Sequence, residues 1–211
     1  MSQEVSSDGE IFVVDDDPAV RDVLTAVFSR DGFHVTNFAD GASLLATTRV
    51  RTPICIILDV HIPGQSGLDI LKELNTQDYP APIFIISGQG DIAMAVDAIK
   101  NGALDFIEKP FRGGEIVTRV REAIEAHAHR QTETDSSNAS LFHFPGREPL
   151  TRREQDVLTQ IVAGASSKEA GRQLGISPRT IEVHRARIMA KLGAKNAADL
   201  VRIVLSEGRS A

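Results

Sequence analysis

Through the first 130 residues, short unbroken apolar runs alternate with segments whose apolar positions recur every three to four residues. IFVV (11–14) precedes a helical pattern from Pro18 to Asp31, which places Val20, Val23, Leu24, Val27 and Phe28 on one face. FHVTNF (33–38) predicts a strand, ASLLATTRV (42–50) a helix, ICIIL (54–58) a fully buried strand and LDILKELN (68–75) a helix. PIFIIS (82–87) is another buried strand, and DIAMAVDAIKNGA (91–103) a helix closed at Gly102. DFIEK (105–109) predicts a short strand and GEIVTRVREAIEAHA (114–128) a helix with Ile116, Val120 and Ile124 aligned. Five strand–helix units in succession predict an α/β fold, a (βα)5 doubly wound parallel sheet with helices on both faces. Its central strands are apolar throughout because both of their faces are covered.

After residue 130 the periodicity stops. Gln131 to Pro149 is rich in Ser, Thr, Asn and Asp and predicts a linker between domains at 1–130 and 150–211. Within it, LFHF (141–144) is apolar enough to tuck against a neighbouring domain and help set the domain arrangement. From Leu150 onward the pattern is all-α, with four helices. LTRREQDVLTQIVAG carries Thr151 as N-cap and Glu154 three residues later, a capping box. SKEAGRQLG is a short helix closed by Gly175, ISPRTIEVHRARIMAKLG opens with Ser177 as N-cap and Pro178 at the first helical position, and NAADLVRIVLSEG follows. A short helix, a tight turn and a longer basic helix together make a helix-turn-helix.

Charge sharpens this division. Residues 1–130 hold 11 Lys/Arg against 20 Asp/Glu, and residues 150–211 hold 11 against 6. An acidic domain joined to a basic one suggests two tasks, the second on a polyanion. The polar, acidic start MSQEVSSDGE has neither the basic nor the apolar part of a signal peptide, and no apolar run approaches the roughly 18 residues that span a bilayer. One cysteine, Cys55, excludes an intrachain disulfide. A cytoplasmic protein without membrane contact is expected.

In a doubly wound sheet, ligands bind beyond the carboxyl ends of the strands. Here the first strand runs into Asp15-Asp16-Asp17, the third into Asp59, the fourth ends at Ser87 and the fifth at Lys109-Pro110. Carboxylates gathered at one rim raise one another's pKa, and a hard divalent cation such as Mg2+ relieves their repulsion. One aspartate can then act as nucleophile on a phosphoryl group, with the lysine and the serine hydroxyl on its oxygens. Asp17, just before Pro18, is better placed to cap the first helix.

These blocks, IFVVDDD, ILDVHIPGQSGLDIL, IFIISGQGD and ALDFIEKPF, resemble the receiver domain of two-component response regulators over residues 8–127. The resemblance implies that Asp59 accepts a phosphoryl group from a sensor histidine kinase. It implies that Asp15 and Asp16 hold Mg2+ together with Asp59 and the backbone carbonyl of His61. Ser87 and Phe106 resemble the switch pair, and Lys109 the phosphate-binding lysine before a cis Lys–Pro bond. A phosphatase that forms an aspartyl phosphate would place a second carboxylate two residues after the nucleophile. That slot is His61, so no enzyme is expected.

Residues 150–208 resemble the LuxR-type DNA-binding domain through LTRREQDVL, LGISPRTIEVHR and IMAKLGAKN, and the two domains together resemble the FixJ subgroup. On the helix 178–191, Ile181, His184 and Ile188 form the core stripe. Glu182, Val183 and Ala186 form the stripe offered to base edges, with Glu182 suited to cytosine and Val183 to a thymine methyl. Lys168, Arg179, Thr180, Arg185, Arg187 and Lys195 are expected to clamp phosphates. Where such domains carry a bulky aliphatic residue and then alanine, this chain has Ala170-Gly171. A glycine inside a helix costs roughly 0.5–1 kcal/mol relative to alanine, which predicts a softened helix that Gly171→Ala would firm up.

The resemblance implies a transcription factor that is phosphorylated at Asp59, dimerises and binds promoter DNA, with RNA polymerase as a further partner. It implies activation of oxygen-responsive genes of nitrogen fixation or microaerobic respiration. Ile92, Ala95, Ile99 and Ile107 are expected near the surface that phosphorylation remodels, with Phe106 turning inward. The competing reading is an interaction module whose receiver works without phosphorylation; the complete set Asp15, Asp16, Asp59, Ser87 and Lys109 argues against it.

Overall fold

The computed structural model describes residues 9–74, 79–88, 92–134, 142 and 144–207, without the side chains of 92 and 129–134. They fall into two compact units, divided between His127 and Ala128. Each is described by itself.

The first unit is a five-stranded parallel sheet. Its strands are β1 (Glu10–Val14), β2 (His34–Phe38), β3 (Cys55–Asp59), β4 (Ile83–Ser87) and β5 (Asp105–Glu108), in the order β2-β1-β3-β4-β5. The order reverses between β1 and β3, so the carboxyl ends of these two central strands flank a crevice. Register lays Val14 beside Leu58, Asp59 beside Ile86 and Ser87 beside Glu108, which brings the chemistry-bearing ends to one rim. The interleaved helices are α1 (Pro18–Arg30), α2 (Gly41–Thr48), α3 (Gly67–Glu73), α4 (Ile92–Lys100) and α5 (Gly113–Thr134).

Side-chain caps start the first three of these helices, the one on α1 as the sequence predicts. Asp17 caps α1 by accepting the Ala19 amide, Asp40 caps α2 and Ser66 caps α3. Ile11, Val13, Cys55, Ile57, Phe84, Ile86 and Ile107 form one core with Leu24 and Phe28 of α1 and Ile116 and Val120 of α5. Strand alternation sends Phe12 to the other face, where it meets Phe38 edge to face. Val23, assigned to the inner face of α1, is half exposed. Ala95 and Ile99 of α4 and Ile107 of β5 are buried, so they lie beneath the α4–β5 face and not on its solvent side. The side chain of Ile92 lies outside the described residues.

Helix α5 continues to Thr134, four residues into the expected linker. At the linker's other end, Phe144 is buried in the second unit with Phe142 stacked on it. Leu141 and His143 lie outside the described residues. The second unit is helical: α6 (Arg152–Val162), α7 (Ser167–Leu174), α8 (Pro178–Leu192) and α9 (Ala197–Glu207). Thr151 and Glu154 form the expected capping box, and Ser166 with Glu169 forms a second one on α7. Gly175 closes α7 at φ 65°, and Ser177 caps α8. Ile181, His184, Ile188 and Leu192 of α8 are all buried.

Gly171 overturns the expectation built on helix propensity. A Cβ there would stand 2.6 Å from the Ile176 carbonyl oxygen, because the turn after α7 folds back onto the helix. The same approach lets the Ile176 amide donate to the Gly171 carbonyl at 2.9 Å. Gly171→Ala should therefore lose about 1–3 kcal/mol through overpacking, more than alanine's helix propensity returns. Chemical denaturation of the full chain checks the sign; a stabilised variant would mean the turn has room to spare.

Candidate phosphoacceptor pocket and nucleic-acid interface

At the rim of the sheet, β1 delivers Asp15 and Asp16, and β3 delivers Asp59. Asp15 and Asp59 are buried while Asp16 is exposed, and one oxygen from each can lie within 4.8 Å of the others. The backbone pins this cluster. Asp15 Oδ1 accepts the Asp17 amide at 3.0 Å, and Arg21 Nη1 donates to the carbonyls of Asp15 at 2.7 Å and Asp16 at 2.9 Å. Arg21 was not singled out from sequence; its position one turn into α1, next to the acidic run, was the available signal. Gly67 brings α3 against β3, where a Cβ would stand 2.2 Å from the Asp59 carbonyl oxygen. The Gly67 amide donates to the Val60 carbonyl at 2.9 Å.

Lys109 comes in from β5. Its amide donates to the Ser87 carbonyl at 2.8 Å, and the next peptide bond, to Pro110, is cis. Its Nζ lies 2.7 Å from Asp15 Oδ2 and 3.3 Å from Asp59 Oδ1. Burial works against the ammonium charge, but the hydrogen bond to Asp15 and the attraction of both carboxylates outweigh it and hold Lys109 above the ordinary lysine value. Asp59 moves upward too: burial dominates, Asp15 adds to it, and the nearby Lys109 charge offsets only part.

Ser87 is fully buried at the end of β4. Phe106 lies on β5 with its ring largely covered, 8% exposed. His61 is exposed at the rim, two residues past Asp59.

The residues present fit a divalent cation. Three carboxylates make a hard-oxygen donor set, and Asp59 Oδ1 is buried without a hydrogen-bond partner.

In the second unit, α8 offers Glu182 and Ala186 to solvent and Val183 in part, and Lys168, Arg179 and Lys195 are exposed as well. Glu182 is not free: it accepts from the Ser167 hydroxyl and lies 3.8 Å from Arg185. Two expected phosphate clamps face elsewhere. Thr180 is 2% exposed and its hydroxyl pairs with that of Ser177, because the third residue of a capped helix folds back over the cap. Arg187 turns inward to Glu154 at 3.4 Å.

Five parallel strands with an acidic, lysine-bearing rim, followed by a helix-turn-helix unit, define a phosphorylation-responsive DNA-binding regulator. Residues 11–121 match the response regulator receiver domain, and residues 148–204 match the luxR family of bacterial regulatory proteins. The chain belongs to the two-component response regulators of LuxR type, a family of transcription regulators and not of enzymes. It is 37% identical to the transcriptional regulatory protein FixJ of Bradyrhizobium diazoefficiens over 97% of its own length and 98% of the relative's. It is also 37% identical to the C4-dicarboxylate transport transcriptional regulatory protein DctR of Rhodobacter capsulatus, over 92% of this chain and 98% of that one. The crystal structure of full-length FixJ from B. japonicum matches with a TM-score of 0.54 at 36% identity, covering 95% of this chain and 97% of that one. Receiver domains of this family generally bind Mg2+ in their acidic pocket and take their phosphoryl group from a histidine kinase, and the LuxR-type domain implies DNA binding. Among the described residues, no helix is long and apolar enough to cross a membrane.

Proposed function

We propose that Asp59 is the phosphoacceptor and that its modification controls promoter binding by the second unit. The observation that carries this is the buried, unbonded Asp59 Oδ1, facing Lys109 at 3.3 Å at the rim where Asp15 and Asp16 converge. Asp59 Oδ1 attacks the phosphorus, and the bond from phosphorus to the imidazole nitrogen of a sensor histidine kinase breaks. Lys109 Nζ, already between two carboxylates, turns to a phosphoryl oxygen, and the Ser87 hydroxyl donates to another. Asp15, Asp16, Asp59 and the His61 carbonyl would hold Mg2+, which would supply positive charge to quench repulsion between an anionic nucleophile and an anionic donor. Ser87 and Phe106 shift with the phosphoryl group and bias the receiver towards a dimer; two DNA-binding units on adjacent half-sites then gain avidity.

The full cycle is that of a cytoplasmic activator working with RNA polymerase. Its relation to FixJ points to oxygen-responsive nitrogen-fixation or microaerobic genes, which genomic footprinting of the phosphorylated protein would test.

With Mg2+ and acetyl phosphate, the intact mass should rise by one phosphoryl group, the protein should dimerise on size exclusion, and chelation should prevent both. A receiver that never takes up the group would instead be an interaction module. On the DNA side, Lys168→Ala and Arg179→Ala should each lower the slope of log affinity against log salt by about one. An unchanged slope would remove that residue from the phosphate contacts.

A further inference from the structure

Among the described residues, Glu154 is the only buried carboxylate of the second unit. Its Oε2 accepts the Thr151 amide at 2.8 Å and a hydrogen bond from Lys191 Nζ at 3.0 Å. Its Oε1 makes no hydrogen bond and has Arg187 Nε at 3.4 Å as its ion partner. Lys191 also donates to the Pro149 carbonyl at 3.1 Å and pairs with Glu148 Oε1 at 3.1 Å. Two cations one turn apart on α8 thus converge on residues 148–154, the entry and first turn of α6.

Their charge is already matched. Two carboxylates meet one guanidinium and one ammonium, and the cations' side chains are only 24% and 12% exposed. If Arg187 swung out to a phosphate it would leave a buried carboxylate oxygen uncompensated, which costs more than an exposed phosphate contact returns. A helix held at two points one turn apart can neither roll nor slide without breaking that pairing. Ala186 of the outward stripe directly precedes Arg187, so rolling α8 would move the base-facing side chains.

We infer that Arg187 and Lys191 are positioning residues for sequence reading, acting through Glu154 and not by touching DNA. This rests on the reading of α8 as the helix that meets base edges. It assigns the cluster to specificity, where a phosphate contact would serve affinity for any sequence.

The test uses the full-length, phosphorylated protein. Its probes are a duplex selected by that protein from a random-sequence library and a scrambled version of the same duplex. Each variant's binding is measured below its own unfolding midpoint. Arg187→Met should weaken the selected duplex on the order of tenfold, the size of one misplaced base contact, and leave the scrambled duplex and the salt slope unchanged. Arg187→Lys, which keeps a charge directed at Glu154, should restore most of the loss. The double variant Glu154→Gln/Arg187→Met should bind no more weakly than the worse single variant, because both remove the same link. If Arg187→Met does not fold, Lys191→Gln is measured with the same expectation. Equal losses on both duplexes with a slope lower by about one would make these residues phosphate contacts and overturn the inference. Unchanged affinity for the selected duplex would overturn it as well. If Arg179→Ala changes neither probe nor slope, the assignment of α8 to DNA falls and takes this inference with it.

Discussion

Asp59→Asn protein incubated with Mg2+ and acetyl phosphate gains no phosphoryl mass, and it stays folded. An amide is a poor nucleophile, and the buried neighbouring carboxylate is not free to replace the lost one. Asp15 is fully buried and occupied on both oxygens, by the Asp17 amide and by Lys109. Stability should not fall, since burial and the Asp15 charge both act against an ionised Asp59 in the folded state. Lys109 keeps its stronger partner, Asp15, at 2.7 Å. The expected pair of results is therefore zero uptake by intact mass and a thermal midpoint equal to or above that of the wild type. Uptake by the variant would place the phosphoryl group elsewhere.

Glu154→Ala carries the largest expected cost in stability. It strands Arg187 and Lys191 against a buried hole and removes half of the Thr151 capping box. Breaking a buried ion pair from one side typically costs about 3–5 kcal/mol. Against total stabilities of roughly 5–15 kcal/mol, that is a large share, and at the low end of the range it is enough to unfold much of the second unit. Denaturant unfolding followed on this unit measures it; a loss within the experimental error would mean the cluster is relaxed by water.

The same residue sets a pH dependence. Burial pushes Glu154 up, but the Thr151 amide, Lys191 and Arg187 together hold it below the ordinary glutamate value of 4.5. A carboxylate held low in the folded state contributes stability that is complete above 4.5 and lost as pH falls through its lower folded value. Glu154→Gln should flatten that acid limb of the wild-type stability curve while lowering the plateau at neutral pH.

What could be read from sequence was mostly local. Asp17, Thr151, Ser177 and Gly175 end or begin helices through bonds spanning two to four residues, and all behave as their residue types require. The sheet was legible because strands covered on both faces admit almost nothing polar. The misreadings share another cause. Arg187 looked like a phosphate clamp because its partner lies 33 positions earlier in the chain. Gly171 looked like a helix defect because the carbonyl that crowds it arrives across a turn. The end of α5 passed for linker because the apolar repeat fades after Ile124 while the helix runs on.

Cys55 adds a practical consequence. It is fully buried in β3, four residues before Asp59, and burial pushes its thiol well above the usual range. Only a thiolate in contact with solvent reacts with a disulfide reagent, so labelling must wait until the central strand is laid open. As the chain's single thiol it reports no other event. The labelling rate of the unaltered protein is thus a clock for receiver opening, readable before and after a phosphoryl donor is added.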